Sequence, residues 1–149
     1  MLAKDIMTHQ VITVSPDQLV PEVAKLLIEN RISGVPVVSA DNELMGIVSE
    51  GDLLSKELSV KSPPILSILG GFIYLESPSR FEAELRKVTA VKVADLMTKK
   101  VVSVTEDTPV SEVASIMVEK KINRVPVLRH KKLVGIITRA DIVRSLLER

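Results

Sequence analysis

The 149-residue chain contains no cysteine and no tryptophan. The missing thiols exclude a disulfide framework, a thiolate nucleophile and a sulfur-ligated metal. Aromatic residues make up only 2% of the chain, and all three of them, Phe72, Tyr74 and Phe81, lie between residues 56 and 93. The core is therefore expected to be built from Val, Ile and Leu, which suits buried strands covered by helices. Long apolar runs are also missing. The longest stretch, Ile65 to Leu75, is interrupted by Ser67, Gly70 and Gly71 and falls short of the roughly 20 residues that cross a bilayer. The opening MLAKDIMTHQ has no signal-peptide core, so a cytoplasmic protein with no membrane partner is expected. Net charge is +1, distributed as −5 over residues 1–55, +2 over 56–93 and +4 over 94–149. That balance argues against nucleic-acid binding by the whole surface. It also directs any bound anion toward side chains of the second half.

What is present is a repetition. Lys4-Asp5-Ile6-Met7-Thr8 is answered by Ala94-Asp95-Leu96-Met97-Thr98, and Val20-Pro21-Glu22-Val23-Ala24 by Val110-Ser111-Glu112-Val113-Ala114. Ile32-Ser33-Gly34-Val35-Pro36-Val37 pairs with Ile122-Asn123-Arg124-Val125-Pro126-Val127. After one dropped residue, Gly46-Ile47-Val48-Ser49-Glu50-Gly51-Asp52 pairs with Gly135-Ile136-Ile137-Thr138-Arg139-Ala140-Asp141. Self-similarity at a fixed offset means one supersecondary unit built twice. Each copy alone, at roughly fifty residues, would bury too little surface to be comfortable.

Each copy reads as β-α-β-β-α. A short strand, 11–14 or 101–104, precedes a helix with apolar residues at Val20, Val23, Ala24 and Leu27, or at Val110, Val113, Ala114 and Met117, the i, i+3, i+4, i+7 spacing of an amphipathic helix. Thr108-Pro109 reads as an N-cap followed by proline at the first helical position. The prolines within Val-Pro-Val suggest edge strands or strand starts. Closing helices begin near Gly51 and Ala140. Residues 56–93 belong to neither copy and include Ser79-Arg80-Phe81-Glu82, a capping box expected to open a helix. This connector is either a hairpin-like element packed on the repeats or, given its aromatics, a partner or dimer surface.

The chemistry-bearing motif is Ser49-x-x-Asp52, repeated as Thr138-x-x-Asp141. At a helix start it can be a cap, with the hydroxyl accepting a first-turn N–H and the acid reaching back. It can also be a ribose site, in which the carboxylate accepts from two vicinal hydroxyls and the helix end faces a phosphate. His9 and His130 have no carboxylate or cysteine companions, so no metal site is expected. No P-loop, Gly-x-Gly-x-x-Gly or Ser/His/Asp set occurs, so no enzyme is expected.

Asp-apolar-Met-Thr, Glu-Val-Ala, Ile-x-x-Val-Pro-Val and Gly-Ile-apolar-Ser/Thr-x-x-Asp, each present twice, resemble a tandem pair of CBS domains, or Bateman module. The resemblance covers about 4–55 and 94–145. It implies an α/β fold of two pseudo-symmetric repeats (1–55 and 94–149) with the connector 56–93 between them. It also implies two ligand clefts shared by the repeats. In the first, Asp52 would hold the ribose with Ser49, beside Met97 and Val102 at the adenine and Asn123 and Arg124 at the phosphate. In the second, Asp141 and Thr138 would be joined by Met7, Ile12, Ser33 and Gly34. The first copy has Gly34 where the second has Arg124. The ligand implied is an adenine nucleotide (AMP, ADP or ATP) or S-adenosylmethionine. The partners implied are a second copy of the chain and an effector protein regulated in trans. A ligand-free scaffold is the rival reading, and a nucleic-acid binder using Lys99, Lys100, Lys120, Lys121, Arg124 and the turn 129–132 a weaker one.

Overall fold

The computed structural model describes residues 1–54 and 91–148. The capping box, apolar run and aromatics expected of the connector lie outside the described residues. In chain order the elements are α1 (Ala3–Ile6), α2 (Val20–Asn30), β1 (Gly34–Val38), β2 (Leu44–Ser49), α3 (Glu50–Leu54), α4 (Val93–Leu96), β3 (Val104–Thr105), α5 (Val110–Lys120), β4 (Arg124–Arg129), β5 (Lys132–Thr138) and α6 (Arg139–Ser145). The mixed α/β architecture with two repeats is as the sequence implies. The early strands are shorter than expected: only Val14 bridges Val37 in the first copy, and β3 has two residues.

The described residues form two compact units, and these do not coincide with the two repeats. One comprises residues 13–39, 45–54 and 91–99, the other residues 1–12, 40–44 and 100–148. Each unit thus joins the body of one repeat to the opening segment of the other. In the first, β1 and β2 form a two-stranded sheet, and α2, α3 and α4 contribute to a core of Val14, Val20, Val23, Leu27, Val35, Val37, Val48, Leu53, Val93 and Leu96. In the second, the sheet order is β3-β4-β5, with β3 parallel and β5 antiparallel to β4. Its core is Ala3, Met7, Val104, Val113, Met117, Val125, Val127 and Ile137. Fully burying one such Val, Ile or Leu contributes about 1.5–3 kcal/mol. Val, Ile and Leu therefore supply what the missing aromatics cannot.

The opening segments satisfy helix ends that would otherwise be orphaned. Val20 N–H, at the start of α2, donates to Val91 O at 3.0 Å, and Val110 N–H, at the start of α5, donates to Met1 O at 3.1 Å. Further along, Thr98 exchanges two backbone bonds with Ile47 (2.8 and 3.0 Å), and Thr8 exchanges two with Ile136 (2.9 and 3.1 Å). This docking replaces the hydroxyl cap expected of Thr108. The helix α5 starts at Val110 with Pro109 as its cap residue, and Thr108 Oγ1 instead accepts the Thr105 N–H at 3.1 Å.

The edge-strand expectation fails for Pro126. It lies in β4, the middle strand of its sheet, opposite Ile136. The reason is visible in the first unit, where Pro36 O accepts from Val14 N–H and Val38 N–H donates to Val14 O. In a strand, N and C=O of one residue face the same side, so the proline nitrogen faces the parallel neighbour. Pairing there begins only at Val14, or at Val104 opposite Val127, so the ladder loses no donor.

Candidate ligand-binding site

Each Ser/Thr-x-x-Asp motif closes a complete capping box. Ser49 N–H and Oγ both donate to Asp52 Oδ2 (2.9 and 3.1 Å), and Asp52 N–H returns to Ser49 Oγ at 3.3 Å. In the second copy, Thr138 N–H and Oγ1 donate to Asp141 Oδ2 (2.8 and 3.0 Å), and Asp141 N–H returns to Thr138 Oγ1 at 3.4 Å. The capping expectation therefore holds in both copies. With two bonds taken, Oδ2 is near its acceptor capacity, and further recognition falls to Oδ1. The helix-end anion site is weakened by the same geometry. The helices α3 and α6 are only five and seven residues long, and a first-turn N–H in each is already bound.

The two Oδ1 atoms have different company. Thr98 Oγ1 donates to Asp52 Oδ1 at 3.2 Å. Asp141, 8% exposed, instead receives Arg144 Nη1 on Oδ1 at 3.1 Å. Neither Thr98 nor Arg144 stood out as a site residue in the sequence. Thr98 had a signal, since Met-Thr recurs in both opening segments. Arg144 had a weaker one, its i, i+3 spacing from Asp141, and the equivalent first-copy position is Ser55.

The methionines of the opening segments lie over strand glycines. A Cβ on Gly46 would sit 2.8 Å from both Met97 Sδ and Thr98 O, and one on Gly135 would meet the Met7 side chain. Met97 is half-buried, whereas Met7 is buried and belongs to the core. In one unit lie Asp52, Ser49, Met97, Ser33 and Gly34, and in the other Asp141, Thr138, Met7, Ile12, Val102, Asn123 and Arg124. Ser33 O accepts the Glu50 N–H at 2.8 Å, and Asn123 O accepts the Arg139 N–H at 3.2 Å. Ser33–Gly34 therefore adjoin the start of α3, and Asn123–Arg124 adjoin the start of α6. Ile12, at 37%, is exposed, while Ile47, Val102 and Ile136 are half-buried, leaving apolar surface outside the cores. Among the described residues, no group of three or more His, Asp or Glu side chains is placed to hold a metal ion. Nor is any helix there long and apolar enough to cross a membrane.

The CBS domain family model matches the chain twice, over residues 3–59 and 93–148. The chain is 32% identical over 155 residues to the uncharacterized protein MJ1426 of Methanocaldococcus jannaschii, covering 99% of this chain and 92% of that one. Other relatives are longer: the chain spans 58% of a chloroplast protein with which it shares 37% identity. Among solved structures it resembles Arabidopsis thaliana CBSX2 in complex with AMP (28% identity, TM-score 0.74, covering 99% of this chain and 96% of that one). It also resembles the CBS domain pair of protein MJ0100 in complex with 5-methylthioadenosine and S-adenosyl-L-methionine (27% identity, TM-score 0.69, covering 99% and 97%).

Proposed function

Because the chain belongs to the CBS-domain family, with two repeats that make a CBS pair, we propose that it is a regulatory module that binds an adenine nucleotide (AMP, ADP or ATP) and modulates a partner protein. The observation that carries this reading is the duplicated carboxylate. Each Asp is fixed by three capping hydrogen bonds, so a ribose meets an acceptor already oriented. The half-buried Ile47, Val102 and Ile136 offer edges for a flat base. Similarity to structures holding AMP or S-adenosyl-L-methionine supports an adenosine-bearing ligand. The module performs no chemistry of its own and requires no metal. Regulation follows from differential affinity, since a ligand shifts an equilibrium only as far as it prefers one arrangement.

Self-association through the helices is part of the proposal. Ile28 (65% exposed) and Leu54 (47%) flank an apolar groove between α2 and α3. Their counterparts in the second repeat, Val118 (78%) and Val143 (62%), are also exposed. Those faces equally favour the rival reading, a scaffold that docks partners without a ligand. Calorimetry with AMP, adenosine, S-adenosyl-L-methionine and GMP separates the two. Saturable binding of adenine compounds, with GMP far weaker, is expected. Equal affinity for AMP and GMP would remove adenine selectivity, and no binding of any compound would leave the scaffold.

A further inference from the structure

We propose that Arg144 is a displaceable latch on the second carboxylate, a specificity-determining residue that a ribose diol must move aside to engage Asp141. The inference deepens the adenine-ligand reading and rests on it. Asp141 Oδ2 already accepts two bonds from Thr138, so a diol must be served largely by Oδ1, where Arg144 Nη1 sits at 3.1 Å. In the first copy the matching oxygen accepts from the Thr98 hydroxyl at 3.2 Å. A hydroxyl is a rotor. It can turn its proton elsewhere and accept from an incoming sugar hydroxyl. A guanidinium has no acceptor and no neutral form, so it must leave for Oδ1 to accept both hydroxyls of a diol.

Departure is feasible because the Arg144 side chain is 64% exposed while Asp141 is held in place. Nor does it undo the helix start, since the Thr138–Asp141 cap involves no atom of Arg144. The latch therefore lowers affinity for diol-bearing ligands at Asp141 and leaves the fold alone. A purely structural i, i+3 pair would not distinguish a ligand with a diol from one without it.

The test is calorimetric titration of adenosine and of 2′,3′-dideoxyadenosine into the full chain carrying Asp52→Asn, with and without Arg144→Ala. The parent chain is titrated alongside. Removing Arg144 should strengthen adenosine binding about two- to fivefold, the range for breaking an exposed ion pair, and leave dideoxyadenosine unchanged. Weaker adenosine binding would mean that Arg144 holds the ligand, and would overturn the latch. An equal gain for both nucleosides, no gain, or no binding by either Asp52→Asn protein would overturn it too. If the parent binds adenosine in those cases, only the latch falls. If the parent binds neither nucleoside, the adenine reading falls with it.

Discussion

At the scale of single residues, backbone strain collects at two helix ends and charge at the Glu106–Arg129 pair. Arg31 and Lys121 end α2 and α5 in the left-handed region, at φ 53 and φ 55. Ile32 and Ile122 N–H groups reach back five residues to Leu27 O (3.0 Å) and Met117 O (3.1 Å). This is the helix ending for which glycine is preferred. Lys121→Gly should therefore raise the urea midpoint, by up to about 1 kcal/mol of stability once the added chain entropy is discounted. Glu106 illustrates charge. Hydrogen bonding from Arg129 holds its carboxyl below the usual carboxylate range. A depressed folded-state value adds stability above the unfolded value, and that stability is lost as pH falls through the folded one. Glu106→Gln should thus lower the thermal midpoint at neutral pH, with the difference closing as pH drops below the ordinary glutamate range. The capping pairs Ser49–Asp52 and Thr138–Asp141 were legible because a local motif carries them. Thr98 was not, because it reaches Asp52 across 46 positions of chain.

At the scale of elements, periodicity identified α2 and α5, where Val20, Val23 and Leu27, and Val110, Val113 and Met117, are buried. It could not reveal that each opening segment docks on the sheet of the other repeat, since no local pattern encodes a partner as distant in the chain as Thr98 is from Ile47 or Thr8 from Ile136. The strand glycines test that docking. Gly46→Ala would press a methyl against the Thr98 carbonyl as well as Met97, whereas at Gly135 the three nearest atoms are all Met7 side chain. Each change should cost about 1–3 kcal/mol, as overpacking does. In double-mutant cycles by urea denaturation, Met7→Ala should recover much of the Gly135→Ala loss. Met97→Ala should recover little at Gly46, because the backbone contact persists. Equal recovery at both sites would mean that the Thr98 carbonyl yields and the docking is looser than its hydrogen bonds imply.

At the scale of the whole molecule, the tandem repeat made the family legible before any coordinates, yet the compact units cut across the repeats. The connector carries all the aromatic residues, and its role remains a proposal about assembly. Phe72→Ser or Tyr74→Ser should lower the mass in solution if the connector joins two copies. An unchanged mass for both variants would leave it no part in self-association. The central claim is that the two carboxylates are ribose acceptors of unequal strength. One argument favours Asp52: the family resemblance assigns it the phosphate ligand Arg124. Charged hydrogen bonds to a phosphate are worth about 1.5–3 kcal/mol, so Arg124→Ala should weaken AMP more than adenosine. The most direct measurement is calorimetric titration of AMP into the parent, Asp52→Asn and Asp141→Asn, each first shown folded. The tight site should vanish with Asp52→Asn and survive Asp141→Asn nearly unchanged; tight AMP binding that survives Asp52→Asn and disappears with Asp141→Asn would contradict the account.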